Sequence, residues 1–226
     1  MRLSIIIPVL DEGEGIASAL DALAELRSLG VEVIVVDGGS RDATVQRARL
    51  RADCVISAAC GRAVQMNRGA ESAAGDVLLF LHADTRLPSA AEHVVLNELA
   101  RSGRAWGRFD VHIEGTHPLL PIIAFFMNMR SRMTGIATGD QAIFVRRDAF
   151  QAAGAFPRIA LMEDIALCKR LKRISPPLCL RERVVTSARR WENNGILSTI
   201  VLMWGLRLAY FFGADPNKLA QRYGYE

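Results

Sequence analysis

Acidic side chains follow three short apolar runs in the first half of the chain. The runs end at residues 9, 36 and 81, and the acidic residues that come after them are Asp11, Glu12, Asp37 and Asp84. Carboxylates that gather at one place repel one another, so they persist mainly where a cation, or the hydroxyls and ring nitrogens of a ligand, can bind them. The pattern therefore predicts a site for such a ligand.

The triplet His82-Ala83-Asp84 is the candidate metal site of this sequence. A hard divalent cation prefers oxygen ligands and neutralises the charge of a diphosphate leaving group. Asp84 supplies an oxygen, and His82 supplies a nitrogen that suits manganese. We expect Mn²⁺ or Mg²⁺, bound by Asp84 and His82. A helix-capping role for Asp84 explains the triplet about equally well.

The predicted secondary structure must position the acidic side chains and His82. In it, short β-branched runs alternate with stretches of helical period. Strands are predicted at 3–9, 31–36, 54–57 and 77–81, with helices at 15–29, 43–51 and 63–74. This alternation predicts a parallel sheet of Rossmann type, covered by helices on both faces. Gly30 and Gly75 stand where C-terminal helix caps are expected. Because ligands bind at the carboxyl ends of such strands, we expect the acidic residues to meet at one rim.

Length and composition favour one catalytic domain. The chain has 226 residues, half of them hydrophobic, which is enough to bury one sizeable core. A net charge of +4 is compatible with anionic ligands and gives little support to a nucleic-acid partner. The four cysteines have neither a CxxC nor a metal-finger spacing, which indicates reduced thiols in a cytosolic protein. The first apolar run is too short for a secretory signal, so a cytoplasmic location is expected.

Taken together, the motifs resemble those of family 2 glycosyltransferases in content and order. They are Ile5-Ile6-Ile7-Pro8-Val9-Leu10-Asp11-Glu12, Val36-Asp37-Gly38-Gly39-Ser40-Arg41-Asp42, Gly75-Asp76-Val77-Leu78-Leu79-Phe80-Leu81-His82-Ala83-Asp84 and Met162-Glu163-Asp164. The resemblance implies a GT-A fold, a nucleotide diphospho-sugar donor (a UDP- or GDP-sugar) and inversion at the anomeric carbon. The family commonly has Asp where this chain has His82, which leaves open how many protein ligands the cation has.

The resemblance also implies which residues contact the donor. Asp37 would contact the base or ribose, Asp11 and Glu12 would line the nucleoside pocket, and Asp84 would hold the metal. The remaining donor candidates are Pro8, Gly38, Arg62, Asn67, His82 and Ala83. Arg62 follows a glycine near a helix start, where its charge and the helix dipole can meet a phosphate. For Asn67, an anchor that hydrogen-bonds loop backbone is the alternative.

Glu163 and Asp164 precede a helix-like run, where carboxylates are often only caps. The resemblance implies instead that Asp164 is the base that takes the proton from an acceptor hydroxyl, because an inverting displacement needs a base opposite the leaving diphosphate. Glu163 would then orient the acceptor or the base. Asp140 and Gln141 are candidates for hydrogen bonds to sugar hydroxyls, with turn formation as an equal alternative.

Arg190 and Trp191 end a motif related to the Gln-x-x-Arg-Trp motif of processive relatives, with Ser187 in place of the glutamine. Arg190 is expected to hold the diphosphate, and Trp191 is expected to stack on a sugar. The missing glutamine and the lack of membrane spans argue against a processive polymerase.

Two apolar stretches, 119–129 and 196–213, have no obvious role in a compact sugar-binding enzyme. The second carries Arg207 and ends in aromatic residues, which suits a helix lying in a membrane interface. Core helices or a homodimer interface are equal alternatives. The membrane interpretation would make the hydroxyl acceptor lipid-linked and place the protein at the inner face of the cell membrane.

We therefore expect one GT-A domain over 1–226, with a nucleotide-sugar-binding half at 1–100, an acceptor and catalytic half at 101–195 and a C-terminal apolar helical segment at 196–226. Two rival functions stay open. A sugar nucleotidyltransferase would need a glycine-rich signature after the first strand, which this chain lacks. A noncatalytic membrane-associated protein could keep the fold as a binding module.

Overall fold

A computed structural model describes residues 1–224 of the chain. Its strands are β1 (Leu3–Val9), β2 (Glu32–Asp37), β3 (Cys54–Ser57), β4 (Val77–Phe80), β5 (Thr85–Arg86), β6 (Trp106–Glu114), β7 (Phe144–Arg146) and β8 (Leu178–Ser187). Its helices are α1 (Ile16–Asp21), α2 (Ala24–Ser28), α3 (Thr44–Arg49), α4 (Arg62–Ser72), α5 (Ala91–Ser102), α6 (Leu120–Thr134), α7 (Arg147–Ala152), α8 (Glu163–Leu171), α9 (Arg189–Asn194), α10 (Ile196–Phe211) and α11 (Pro216–Tyr223). A 3₁₀ turn covers Gly139–Gln141. Residues 225 and 226, the end of the predicted segment 196–226, lie outside the described residues.

One sheet joins the eight strands in the order β3-β2-β1-β4-β7-β6-β8-β5. The strands β3, β2, β1 and β4 are parallel, as predicted for the first half of the chain. From β4 onward the sheet is mixed, because β7 is antiparallel to both β4 and β6, whereas β6 and β8 are parallel. The register pairs Val9 with Asp37, so β1 and β2 end side by side at one rim.

The alternating side chains of β1 fill two cores, one on each face of the sheet. Ile5 and Ile7 pack with residues of α1, α2 and α5, whereas Ile6 packs with residues of α4, α7 and α8. Because both faces are covered, the strand is an almost continuous apolar run. Full burial of each such side chain contributes about 1.5–3 kcal/mol to folding. The packed sheet is the rigid support on which the rim loops stand.

Two local predictions need correction. The predicted helix 15–29 is two helices, because the Leu23 N–H bonds to Leu20 O in a tight turn that lets Leu23 and Leu26 enter one core. Gly75 does not cap a helix, since α4 ends at Ser72. A Cβ at Gly75 would lie 2.8 Å from Arg2 O, so close packing against β1 explains this glycine. Gly30, with φ +89°, does follow α2 in the conformation expected of a cap.

The C-terminal apolar segment packs against the start of α8. Leu206 of α10 and Leu219 of α11 share a small core with Leu161, Met162 and Ile165. Within residues 1–224, no helix combines the length and the apolar character needed to cross a membrane. The core alternative for residues 196–213 is therefore correct for one side of α10, while its other side is exposed.

Candidate active site

A cleft of about 1390 Å³ opens at the carboxyl ends of β1 and β4 and is closed on the other side by α8 to α11. It brings together most of the residues that the sequence singled out. Those that line it are Pro8, Glu12, Arg62, His82, Ala83, Asp84, Asp140, Glu163, Asp164, Arg190 and Trp191. The first half of the chain and the Glu163-Asp164 pair thus face one shared space.

A second, more open groove of about 660 Å³ has no comparable chemistry. It is lined by cations such as Arg132 and Lys172, but by neither a carboxylate nor a histidine. Arg132 donates to Cys179 O and Lys172 donates to Thr134 O, so these cations tie the backbone together. We therefore place the candidate active site in the larger cleft.

His82 and Asp140 form a polar pair in the cleft. Nδ1 of His82 lies 3.4 Å from Oδ1 of Asp140. Desolvation alone would raise the pKa of Asp140, yet the hydrogen bond to His82 and the nearby arginines hold that pKa below its usual value. Asp140 is therefore an anion at neutral pH.

Asp84 is exposed at the cleft surface, and Thr85 Oγ1 donates a 3.3 Å hydrogen bond to its Oδ1. Among residues 1–224, no group of three or more His, Cys, Asp or Glu side chains converges as a metal site would require. The prediction that Asp84 and His82 bind a cation stays a prediction, and such a cation would need its remaining ligands from water and a ligand's phosphate oxygens. Asp84 and His82 do not fit a site closed by protein ligands alone.

The Glu163-Asp164 pair stands at the start of α8, directly after a strained residue. Met162 has φ +71°, an unusual conformation for a residue with a long side chain. The Asp164 carboxylate is held by two backbone donors: Gly139 N–H donates to Oδ2 at 3.0 Å, and Ile165 N–H donates to Oδ1 at 2.7 Å. These bonds fix the direction in which the carboxylate faces the cleft.

Glu163 is buried next to Asp164, with 6% of its surface exposed. Burial and the charge of Asp164 raise the pKa of Glu163 to about 7, although nearby Arg62 opposes the shift. At neutral pH Glu163 is thus about half protonated. Protonation removes the repulsion between the two neighbouring carboxyl groups.

Asp37, Gly38 and Asp11 shape the rim beside the cleft without lining it. The buried Asp37 carboxylate accepts hydrogen bonds from the N–H groups of Gly39 and Ser40 at 3.0 and 3.1 Å. Asp11, with φ +52°, accepts from Arg41 N–H at 2.7 Å. The predicted contacts of Asp37, Gly38 and Asp11 with the nucleoside stay predictions.

Two side chains that were predicted to contact a ligand form hydrogen bonds with other parts of the protein. The Asn67 amide donates to Phe156 O at 2.9 Å and accepts from Phe156 N–H at 3.0 Å, so it anchors a loop, as the alternative interpretation held. Gln141 is fully buried, and its Nε2 donates to Ser131 Oγ at 3.0 Å. The prediction that Gln141 contacts a sugar is wrong, because its side chain lies in the core.

Sequence reasoning missed three groups at or beside the cleft. Nε2 of the buried Gln65 donates to Val9 O and Val36 O, both at 2.8 Å, and so joins the ends of β1 and β2. Arg189 pairs with Glu12 at 3.2 Å. Arg207 of α10 lines the cleft. A polar residue on an otherwise apolar helix face was the one available signal for Gln65.

Arg190 and Trp191 lie at the cleft in settings that sequence did not predict. The Arg190 guanidinium stands 4.0 Å from the centre of the Tyr223 ring, in a cation–π contact. Trp191 is half-buried and packs against the core on the α1 side of the sheet. Their predicted contacts with diphosphate and sugar remain predictions.

Residues 4–154 of the chain match the sequence model of one protein family, "Glycosyl transferase family 2". The chain belongs to this family. A Mycobacterium tuberculosis relative named "PGL/p-HBAD biosynthesis glycosyltransferase" is 37% identical over 94 residues, which cover 38% of this chain and 37% of that protein. An uncharacterized glycosyltransferase of Escherichia coli K12, YibD, is 30% identical over 89 residues, or 37% of this chain and 26% of that protein. The chain thus matches less than half the length of these family members.

Solved structures share the fold with this family 2 chain. The mannosyltransferase PcManGT of Pyrobaculum calidifontis, in complex with GDP-Man and Mn²⁺, has a TM-score of 0.67 at 19% identity, covering 99% of this chain and 69% of that one. Glucosyl-3-phosphoglycerate synthase of M. tuberculosis, in complex with Mn²⁺, UDP and phosphoglyceric acid, has a TM-score of 0.65 at 18% identity. This match covers 95% of this chain and 79% of that one. S. aureus TarS in complex with UDP-GlcNAc has a TM-score of 0.66 at 18% identity, and the match covers 83% of this chain and 58% of that one. The predicted GT-A fold and glycosyltransferase family are confirmed.

Proposed function

We propose that the protein transfers a sugar from a nucleotide diphospho-sugar to an acceptor hydroxyl and inverts the anomeric carbon. The observation that carries this proposal is the shared cleft, in which Asp84 and His82 at the end of β4 face the same space as Asp164 at the start of α8. Such an arrangement puts a diphosphate-binding group and a base within reach of one substrate. The family membership and the fold agree with it.

In the proposed reaction the acceptor oxygen attacks the anomeric carbon from the side opposite the diphosphate. A new carbon–oxygen bond forms while the bond to the diphosphate breaks, and its electron pair leaves with the nucleoside diphosphate. Asp164 takes the acceptor's hydroxyl proton. Each oxygen of Asp164 already accepts one backbone N–H and keeps capacity for one more hydrogen bond. The carboxylate is therefore both oriented and available.

Glu163 acts in this proposal as a positioning residue. Its pKa of about 7 leaves it about half protonated at neutral pH, which reduces the repulsion between it and Asp164. A protonated Glu163 also avoids an unpaired buried charge. Asp164 is the member of the pair that is partly exposed to the cleft.

The donor's diphosphate is proposed to lie between the start of α4 and the His82-Ala83-Asp84 turn. Arg62 is the first residue of α4, so its guanidinium and the helix N-terminus offer positive charge at one point of the cleft. Asp84 and His82 would hold Mn²⁺ or Mg²⁺, which when bound neutralises the charge on the departing diphosphate. Pro8, Glu12 and Ala83 line the same part of the cleft. PcManGT was crystallised with GDP-Man and Mn²⁺, which agrees with this assignment.

We propose further that α6 and α10 rest on an anionic membrane surface, at the inner face of the cell membrane. Each helix exposes one apolar stripe at helical spacing, with 38–78% of each side chain accessible. The stripes are Ile122, Phe125, Phe126, Met129 and Met133 on α6, and Leu197, Val201, Trp204, Leu208 and Phe211 on α10. Neither 115–139 nor 193–214 contains Asp or Glu, so nothing on these segments repels anionic lipid. The acceptor would then be lipid-linked.

A thermal-shift panel tests the proposed reaction class. UDP- and GDP-sugars are added with and without Mn²⁺, because a ligand that binds only the folded protein raises its melting temperature. We expect one nucleotide sugar to stabilise the protein, and to do so more strongly with Mn²⁺. Stabilisation by no nucleotide diphospho-sugar would contradict the proposal.

A further inference from the structure

The part of the cleft lined by α10 contains a cation for which residues 1–224 provide no hydrogen-bond or ion-pair partner. Arg207 lines the cleft and, within residues 1–224, forms neither a hydrogen bond nor an ion pair. Its charge still reaches the site, since it helps to lower the pKa of Asp140 and that of Arg130. Arg207 thus projects positive charge into the space beside the candidate base.

Arg130 of α6 adds a second cation close enough to Arg207 for their charges to interact, although it is not itself among the described residues that line the cleft. Its Nε and Nη2 atoms are buried and have no hydrogen-bond partner among the described residues. Burial first, and then the charge of Arg207, lower the pKa of Arg130 to about 10, whereas Asp164 acts in the opposite direction. Met127, one turn earlier on the same face of α6, lines the cleft. Buried charged donors without acceptors are unfavourable and are expected to meet an anion when a ligand is bound.

The two carboxylates nearby form their hydrogen bonds with other groups than these two arginines. Asp140 is paired with His82, and the oxygens of Asp164 accept from Gly139 N–H and Ile165 N–H. Within residues 1–224, neither carboxylate forms a hydrogen bond or an ion pair with Arg207 or Arg130.

We propose that Arg207 and Arg130 form an anion subsite that binds a phosphate group of the acceptor next to Asp164. A guanidinium binds phosphate oxygens through two parallel hydrogen bonds, and two neighbouring guanidiniums match a dianionic phosphate better than a single carboxylate. This inference rests on the proposed function, because it assigns the acceptor of that reaction. Both arginines stand on the two helices that expose the apolar stripes, so a lipid phosphate and a soluble phosphate monoester are the two sources of this group.

Calorimetry with inorganic phosphate tests the subsite. The full chain is first saturated with UDP or, in a parallel series, GDP, each with Mn²⁺, so that the donor's phosphate site is filled. Arg207→Gln should weaken phosphate binding about tenfold, the loss expected for one charge-assisted hydrogen bond. Arg207→Lys should retain part of the affinity because the charge remains. Arg49→Gln, an exposed arginine on α3, is the matched control and should leave binding unchanged.

Three further comparisons complete the test. Arg130→Gln should also weaken phosphate binding, but Arg207→Gln decides the result because Arg207 has no hydrogen bond or ion pair within residues 1–224 to lose. Unchanged affinity in Arg207→Gln, or loss in Arg62→Gln alone, would overturn the subsite. If the nucleotides fail to bind the wild-type protein while phosphate binding still depends on Arg207, the proposed donor is wrong and the subsite stands. Flotation with phosphatidylcholine vesicles, with and without a prenyl phosphate, separates the two sources: binding that needs both the prenyl phosphate and Arg207 identifies the lipid.

Discussion

The backbone N–H of Gly139 donates a 3.0 Å hydrogen bond to Oδ2 of Asp164. The same glycine packs against His82, because a Cβ built on it would lie 2.3 Å from His82 Nε2. One short turn therefore touches both the proposed base and the proposed metal ligand. The distance between the two halves of the cleft depends on this turn.

Gly139→Ala should lower the rate of sugar transfer by about a hundredfold, because an added methyl group must push His82 or the turn aside and a shift of about 1 Å has effects of that size. Nucleoside diphosphate release from the donor is the measurement. Gly15→Ala is the control, since nothing lies within 4 Å of the Cβ that it adds. Equal rates in both variants would show that the turn does not position the site.

Glu163 should make stability depend on pH. The pKa of Glu163 is raised from 4.5 to about 7 in the folded protein, so the folded state binds this proton more tightly than the unfolded chain. The contribution is fully present below the unfolded pKa of 4.5 and is lost as the pH rises through 7. For a pKa shift of this size, the contribution of this proton to the free energy of unfolding is at most about 3 kcal/mol.

Denaturant unfolding at several pH values checks this prediction. Glu163→Gln should remove most of the fall in unfolding free energy between pH 4.5 and 7, because the amide does not titrate. Glu14→Gln, at an exposed position, should keep the wild-type slope. A wild-type slope in Glu163→Gln would mean that other groups cause the pH dependence.

Asp84→Ala should remove the Mn²⁺-dependent part of nucleotide binding and leave the fold intact. Asp84 is exposed, and within residues 1–224 its side chain receives a single hydrogen bond, from Thr85. Calorimetry with UDP and GDP, with and without Mn²⁺, measures the effect. Glu182→Ala provides an exposed acidic control. If Mn²⁺ strengthens nucleotide binding equally in wild type and Asp84→Ala, the cation is held elsewhere.

Leu208→Glu should weaken cosedimentation with anionic liposomes about tenfold, since one large apolar side chain contributes roughly 1.5–3 kcal/mol when it leaves water. Leu208 is 60% exposed on α10. Leu50→Glu changes another exposed leucine, which directly follows α3 and is 78% exposed, and should have no effect. Sedimentation velocity separates the alternative: conversion of a dimer to a monomer, with liposome binding unchanged, would identify the stripe as a homodimer interface.

The sheet and its rim were accessible to sequence reasoning because their signals are local. β1 and β3 occur at the predicted residues, since short apolar runs that contain β-branched residues favour a buried strand. The rule that ligands meet at the carboxyl ends of parallel strands then placed Glu12, His82 and Asp84 in one cleft.

The remainder of the site depends on contacts between distant segments. The buried Gln141 side chain donates a hydrogen bond to Ser131, ten residues earlier in the chain. The Asn67 side chain donates one to Phe156 O, far away in sequence. No local pattern distinguishes such an amide from one that binds a sugar. Arg130 and Arg207 stand on separate helices, and only tertiary packing brings Arg130 near Asp164 and Arg207 near Asp140.

The direct test of the account is the turnover of Asp164→Asn, measured as nucleoside diphosphate release from the nucleotide sugar that best stabilises the wild-type protein. The amide oxygen can still accept the Gly139 N–H bond, but it cannot take a proton. We predict a fall in turnover of at least about a hundredfold, with nucleotide affinity nearly unchanged. Wild-type turnover in Asp164→Asn would contradict the proposal that this carboxylate is the catalytic base.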